Sequence, residues 1–191
     1  LELAEQLGWD APDVLVYPTG GGTGLVGIWK AYEELGEMGW VKAGQPRFVA
    51  VQAVGCAPLV RAWKDKAETT SPVENPMTNA PGLRVPGPFA GRQMLRILRD
   101  TGGFPQPVGE DEIVSAQRLL AKVEGIWTAP EAAATLAALL HMKDEGEVEA
   151  GTRVVLVLTG AGIKYGPPSM PRPVHLEGSP DLVWWRQGRA L

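Results

Sequence analysis

Cysteine is all but missing from this chain. Cys56 stands alone, which excludes an internal disulfide framework and any cysteine-built zinc cluster. Two histidines, His141 and His175, leave little for a histidine-built metal site. No apolar run approaches the ~20 residues that cross a bilayer. The opening LELAEQLGWD is acidic and amphipathic, where a signal peptide is basic and then apolar. Basic excess is missing as well: 18 Lys and Arg against 22 Asp and Glu leave a net charge of −4, and the arginines are not interleaved with aromatics. That excludes a nucleic-acid footprint. These absences predict a cytoplasmic chain that touches neither membrane nor nucleic acid. An initiator methionine is also lacking, and Leu3, Ala4 and Leu7 share one helical face from the first turn. The expectation is a piece of a longer protein.

What is present suffices for one globular unit, since 45% hydrophobic and 21% charged residues over 191 positions is an ordinary soluble balance. Strand and helix patterns alternate. DVLVYPT (Asp13 to Thr19) has the continuous apolar character of a strand covered on both faces, and helical spacing runs from Gly24 to Gly36 through Leu25, Ile28, Trp29, Tyr32 and Leu35. RFVAVQAV (Arg47 to Val54) reads as a second strand, and APLVRAWKDKAE as a helix with a proline in its first turn. From Thr69 to Pro88, five prolines without periodicity predict a long loop. AGRQMLRILRDTGG, GEDEIVSAQRLLAKVEG and APEAAATLAALLHMKDEGE predict three helices, and TRVVLVLTGAGIKYG a third buried strand entering a second glycine-rich turn. The fold class expected is α/β: a mostly parallel twisted sheet with helices on both faces, joined by right-handed crossovers. Ligands then sit beyond the carboxyl ends of the strands, where both glycine clusters fall.

Gly20, Gly21, Gly22, Thr23 and Gly24 follow the first strand and open a helix. Without Cβ atoms the backbone amides lie open to an anion at the positive end of the helix dipole, and Thr23 adds a hydroxyl. The pattern is not a P-loop, because no Lys-Ser/Thr pair follows, and it does not meet the dinucleotide spacing. A tight strand-to-helix turn would also use these glycines.

Four segments in order, PTGGGTGLVGIWKAYEELGEMGW, PRFVAVQAVGCAPLVRAW, EGIWTAPEAAATLAAL and VVLVLTGAGIKYG, resemble the second half of a fold-type II pyridoxal-phosphate enzyme of the threonine synthase group, with the tryptophan synthase β-like sheet. The resemblance covers residues 1–166, which it makes the carboxyl-terminal portion of the cofactor-binding large domain; 167–191, with Trp184 and Trp185, is read as an extended tail packed on the surface. It implies that the amides of Gly20 to Gly24 hold the phosphate of pyridoxal 5'-phosphate. It implies that Thr159 offers its hydroxyl to the pyridine nitrogen and that Gly125 lets the backbone pass close to the ring. A hydroxyl partner does not force a proton onto that nitrogen, so the cofactor is a milder electron sink, suited to elimination and replacement. Structural readings stand beside these: Thr159 as a strand-end residue satisfying the following turn, Glu124-Gly125 as a helix end, and Glu131 as a first-turn acid explained by the dipole. His141 reads as a helix-end residue and Cys56 as a buried thiol.

The resemblance also implies a Schiff-base lysine upstream of this chain, leaving the catalytic residue unknown here. Lys30, Lys42, Lys64, Lys66, Lys122 and Lys143 read as solvated surface residues, and Lys164 matches a family lysine after the Thr159 turn, where nothing in the pattern makes it the Schiff-base residue. The α-carboxylate loop is expected upstream too, so the chain alone should not catalyse. For the parent, three partners are expected: an amino-acid substrate, the missing amino-terminal half and a second copy in a homodimer. The implied activity is threonine biosynthesis from O-phosphohomoserine and water, with phosphate released. Because the loop carries glycines where many threonine synthases carry asparagines, an amino-acid dehydratase or ammonia-lyase is the alternative. A non-catalytic fragment that binds phosphate or a partner is the third reading.

Overall fold

A computed structural model describes residues 1–41 and 44–165. The tail read at 167–191, with His175, Trp184 and Trp185, and Lys42 lie outside the described residues. A short helix α1 (Glu2–Gln6) precedes β1 (Val14–Pro18), α2 (Thr23–Glu37) and β2 (Arg47–Ala53). There follow α3 (Pro58–Lys64), a long strap with a single 3-10 turn at Pro81–Leu83, α4 (Gly91–Asp100) and β3 (Phe104–Val108). Then come α5 (Glu110–Glu124), α6 (Pro130–Asp144), β4 (Val154–Leu156) and a 3-10 turn at Gly162–Lys164. The four strands lie in the order β3-β2-β1-β4 and every pairing is parallel. The expected class, a parallel sheet with helices on both faces, is the one observed.

Alternation along the strands builds two cores. Leu15, Phe48 and Ala50 pack one face against Leu25, Trp29 and Leu35 of α2 and Met94, Leu95 and Leu98 of α4. Val14, Val16, Val49 and Val51 pack the other against Ile113 and Ala116 of α5 and the alanine-rich side of α6, Ala133 to Met142. Burial on both faces is why these strands read as unbroken apolar runs.

Three elements depart from the sequence expectation. β3, FPQPV, has no strand signal, because its two prolines lack an N–H for the ladder; it forms because it bonds only β2 and is an edge strand, where proline is tolerated. The helix expected to run on from Ala57 stops at Lys64, since Lys66 turns left-handed (φ 54°) and Ala67 N–H donates back to the Ala62 carbonyl at 2.8 Å. The last strand, expected to be buried, is half-buried: β4 bonds β1 alone, and among the described residues no further strand pairs with its outer edge.

Candidate functional site

The chain winds from β1 to β2 to β3, then returns through α5 and α6 to lay β4 on the far side of β1. The direction of winding therefore reverses between β1 and β4, which opens a crevice beyond their carboxyl ends. Two turns flank that crevice, Gly20 to Gly24 after β1 and the segment around Thr159 after β4. Both line one cleft of about 240 Å³, together with Tyr17, Gly82, Leu83 and Glu131.

The glycine turn is built by crowding. Gly22 is the residue before α2 and has φ +103°, a conformation that side chains rarely adopt; a Cβ there would also lie 2.7 Å from Met94 Sδ. A Cβ on Gly24 would collide with the Tyr17 hydroxyl, and one on Gly20 would stand 2.5 Å from the Gly82 carbonyl oxygen. Carbonyls of the turn are engaged in the structure: Gly21 accepts from Ala90 N–H at 3.3 Å and Gly22 from Val26 N–H at 3.0 Å. Among the described residues the amides from Gly20 to Gly24 have no protein acceptor, and no side chain caps α2. This is a row of open donors at the positive end of a 15-residue helix, the arrangement that an anion satisfies. Burial raises the pKa of the Tyr17 phenol above its ordinary value, keeping that neighbour neutral.

A ladder between the turn and residues 127–129 places Thr159. Ala129 N–H and the Thr128 hydroxyl both donate to the Gly160 carbonyl at 2.8 Å, and Gly162 N–H donates to the Trp127 carbonyl at 2.9 Å. Gln117, buried in α5, donates to the Thr128 carbonyl at 2.6 Å and so fixes the ladder to the helix layer. Gly162 is needed for closeness: a Cβ would lie 2.5 Å from the Trp127 ring. Thr159 itself is exposed at the cleft, with a hydroxyl available to a ligand.

Other sequence candidates fall outside this lining. Gly125 is the left-handed C-cap of α5 (φ 68°), and Glu124 is exposed at the helix end. Cys56 is buried, and desolvation pushes its thiol pKa up, against reactivity. His141 has both ring nitrogens engaged: Nδ1 lies 3.0 Å from the Gln106 amide nitrogen and Nε2 lies 2.6 Å from a Glu112 carboxylate oxygen. Glu112 in turn accepts from Gly109 N–H at 2.6 Å, and that bond, with His141, holds its carboxyl below the usual pKa. A larger groove of about 310 Å³ runs beside this pair between α5 and α6. Its histidine and glutamate are engaged with each other and with the Gly109 amide at the start of α5, whereas the smaller cleft brings the glycine turn and Thr159 together. Sequence reasoning misses Glu131, for which the helix dipole is explanation enough. The structure buries it to 6% exposure in the lining, and only its tertiary partners reveal that.

The residues present fit a phosphate-bearing ring: open amides for the anion at one end, a hydroxyl at the other. With about 240 Å³, below the ~300–1,000 Å³ of enclosing ligand pockets, the cleft would cradle such a group on one side. No lysine is among the described residues lining it.

Comparison with known proteins supplies the family. The family model described as "Pyridoxal-phosphate dependent enzyme" matches residues 1–160. The threonine synthase of Methanocaldococcus jannaschii is 34% identical over 163 residues, 85% of this chain and 40% of that protein. That of Synechocystis sp. is 35% identical over 164 residues, again 85% and 40%. The chain thus spans about two fifths of the length of these curated relatives. Among solved structures, a threonine deaminase from T.th. superposes with a TM-score of 0.66 at 23% identity, covering 87% of this chain and 55% of that one. Serine racemase from Dictyostelium discoideum gives 0.62 at 25%, covering 84% and 46%. With the parallel sheet and the matched residues 1–160 in agreement, the chain belongs to the pyridoxal-phosphate-dependent enzyme family.

Proposed function

We propose that this chain supplies the phosphate and pyridine-nitrogen contacts in the site of a threonine synthase-like lyase, acting in the whole protein on O-phosphohomoserine and water to give threonine and phosphate. The carrying observation is that Gly20 to Gly24 and Thr159 line one cleft at the switch point of the sheet. In this reading the open amides and the α2 dipole bind and orient the phosphate, and the Thr23 hydroxyl adds a donor. Thr159 Oγ1 shares a hydrogen bond with the ring nitrogen without adding charge beside it. When bound, the cofactor would supply the electron sink for elimination and replacement at the substrate's β or γ carbon, with O-phosphohomoserine losing its phosphate from the γ carbon and gaining water at the β carbon. Gly125, a helix cap away from the lining, is not part of the proposed set. The Schiff-base lysine and the α-carboxylate contacts belong to the rest of the parent protein, which pairs with this part and forms a cytoplasmic homodimer.

The substrate reading rests on identity with threonine synthases over 85% of this chain. One feature favours a second: the turn Gly20-Gly21-Gly22-Thr23-Gly24 is nearer to that of dehydratases and ammonia-lyases, acting on hydroxy- or diamino-acids. The test adds pyridoxal 5'-phosphate to the purified chain and follows binding by absorbance, with borohydride reduction as a control. Reversible binding, weakened at least tenfold by Gly24→Ala and left non-reducible, is expected. A reduced adduct on a lysine of this chain would overturn the assignment. Activity of the complete protein on O-phosphohomoserine, against serine and threonine, then decides between the two substrates.

A further inference from the structure

One buried carboxylate at the cleft has no part in the proposed cofactor contacts. Glu131, in the first turn of α6, accepts through Oε1 from the Gly82 amide at 2.7 Å and from the Tyr165 hydroxyl at 3.3 Å. These partners come from two separate segments, the proline-rich strap, whose Gly82 lines the cleft, and the end of the turn that follows Thr159. Gly82 lies on the proline-rich strap, and its carbonyl abuts Gly20, where an added Cβ would stand 2.5 Å away. Gly82 is also crowded from the other side, for a Cβ on it would lie 2.8 Å from Glu131 Cγ. The peptide of residue 82 is therefore clamped between the carboxylate and the glycine turn. Tyr165 ends the turn that follows Thr159, and Tyr165 N–H closes that turn on the Gly162 carbonyl at 2.9 Å. The strap is otherwise well anchored: Met77 N–H donates to the Gly55 carbonyl at 3.0 Å and Asn79 N–H to Glu110 at 3.0 Å. The Glu131 bond is the one that acts at the cleft itself.

We infer that Glu131 is a positioning residue, whose Oε1 couples the wall behind the phosphate cradle to the turn that carries Thr159 and so sets the spacing between the two cofactor contacts. The cofactor part of this inference rests on the proposed function; the coupling of Gly82 and Tyr165 does not. It acts through accepted hydrogen bonds, so an amide in place of the carboxylate preserves it and a methyl group does not.

The test uses the 191-residue chain with Glu131→Ala, Glu131→Gln and Tyr165→Phe, reading affinity for pyridoxal 5'-phosphate and for inorganic phosphate, and hydrogen exchange of the Gly82 amide. Glu131→Ala is expected to weaken pyridoxal phosphate by about tenfold or more and to speed Gly82 exchange at least tenfold, with Glu131→Gln holding both within about threefold. Tyr165→Phe cuts only the link to the Thr159 turn; it is expected to shift the absorbance maximum of the bound cofactor while Gly82 exchange stays at the wild-type rate. Wild-type affinity and exchange in the alanine variant would overturn the inference, as would a glutamine variant as damaged as the alanine one. Should Glu131→Ala fail to fold, the glutamine and phenylalanine variants decide alone. If the wild type binds neither probe, the proposed function fails, and Glu131-dependent protection of Gly82 still upholds or overturns the coupling.

Discussion

The two turns that meet at the cleft are held in opposite ways. The glycine turn follows a central strand with neighbours on both sides and is walled by Gly82, Ala90 and Met94, so its shape is enforced by atoms that leave no room for side chains. The Thr159 turn follows an edge strand; Leu158 is 37% and Ile163 88% exposed, and a short ladder to residues 127–129 with the bonds around Tyr165 holds it in place. Crowding suits a cradle of backbone amides, whose directions must be fixed together. A single hydroxyl needs only its own turn to be placed, and a ladder suffices.

Substitutions probe this contrast. Gly24→Ala meets the Tyr17 hydroxyl and should cost about 1–3 kcal/mol in urea unfolding, although alanine is the better helix former. Gly162→Ala meets the Trp127 ring but at an edge where the turn can shift, so a loss of about 1 kcal/mol is expected, with smaller change in phosphate affinity than Gly24→Ala. If the edge substitution proves the costlier one, the contrast is wrong. Gly27→Ala, in the same helix as Gly24 but with open space around it, should instead stabilise by up to ~1 kcal/mol.

Acid titration extends the contrast to a site away from the cleft. The Glu112 carboxyl is lowered in the folded chain, so its contribution is present above the ordinary carboxylate pKa of about 4 and lost as pH falls through the lower folded value. Glu112→Gln should flatten the acid limb of the stability curve, read by thermal melts from roughly pH 2 to 7. Phosphate affinity at neutral pH should stay as in the wild type.

Much of this architecture is legible in order along the chain. β1, β2, α2, α5 and α6 follow from apolar runs and helical spacing, and the glycine turn from its position between a strand and a helix. β3 is hidden because its prolines contradict strand chemistry except at an edge, and edges are a property of the assembled sheet. Glu131 is hidden for a similar reason. Its two partners lie 49 and 34 residues away, and a first-turn glutamate has an adequate local explanation.

Every element type but that of β3, the parallel class, the glycine turn between a strand and a helix, and the family resemblance are written in the chain itself, because they depend on local periodicity and on residues adjacent in sequence. Three features come from assembly instead: the turns after β1 and β4 share a cleft, β4 is an edge, and Glu131 bonds both Gly82 of the strap and Tyr165 after the Thr159 turn. Those are consequences of strand order, and strand order is set by how separate apolar faces find burial together, which no single stretch of residues encodes.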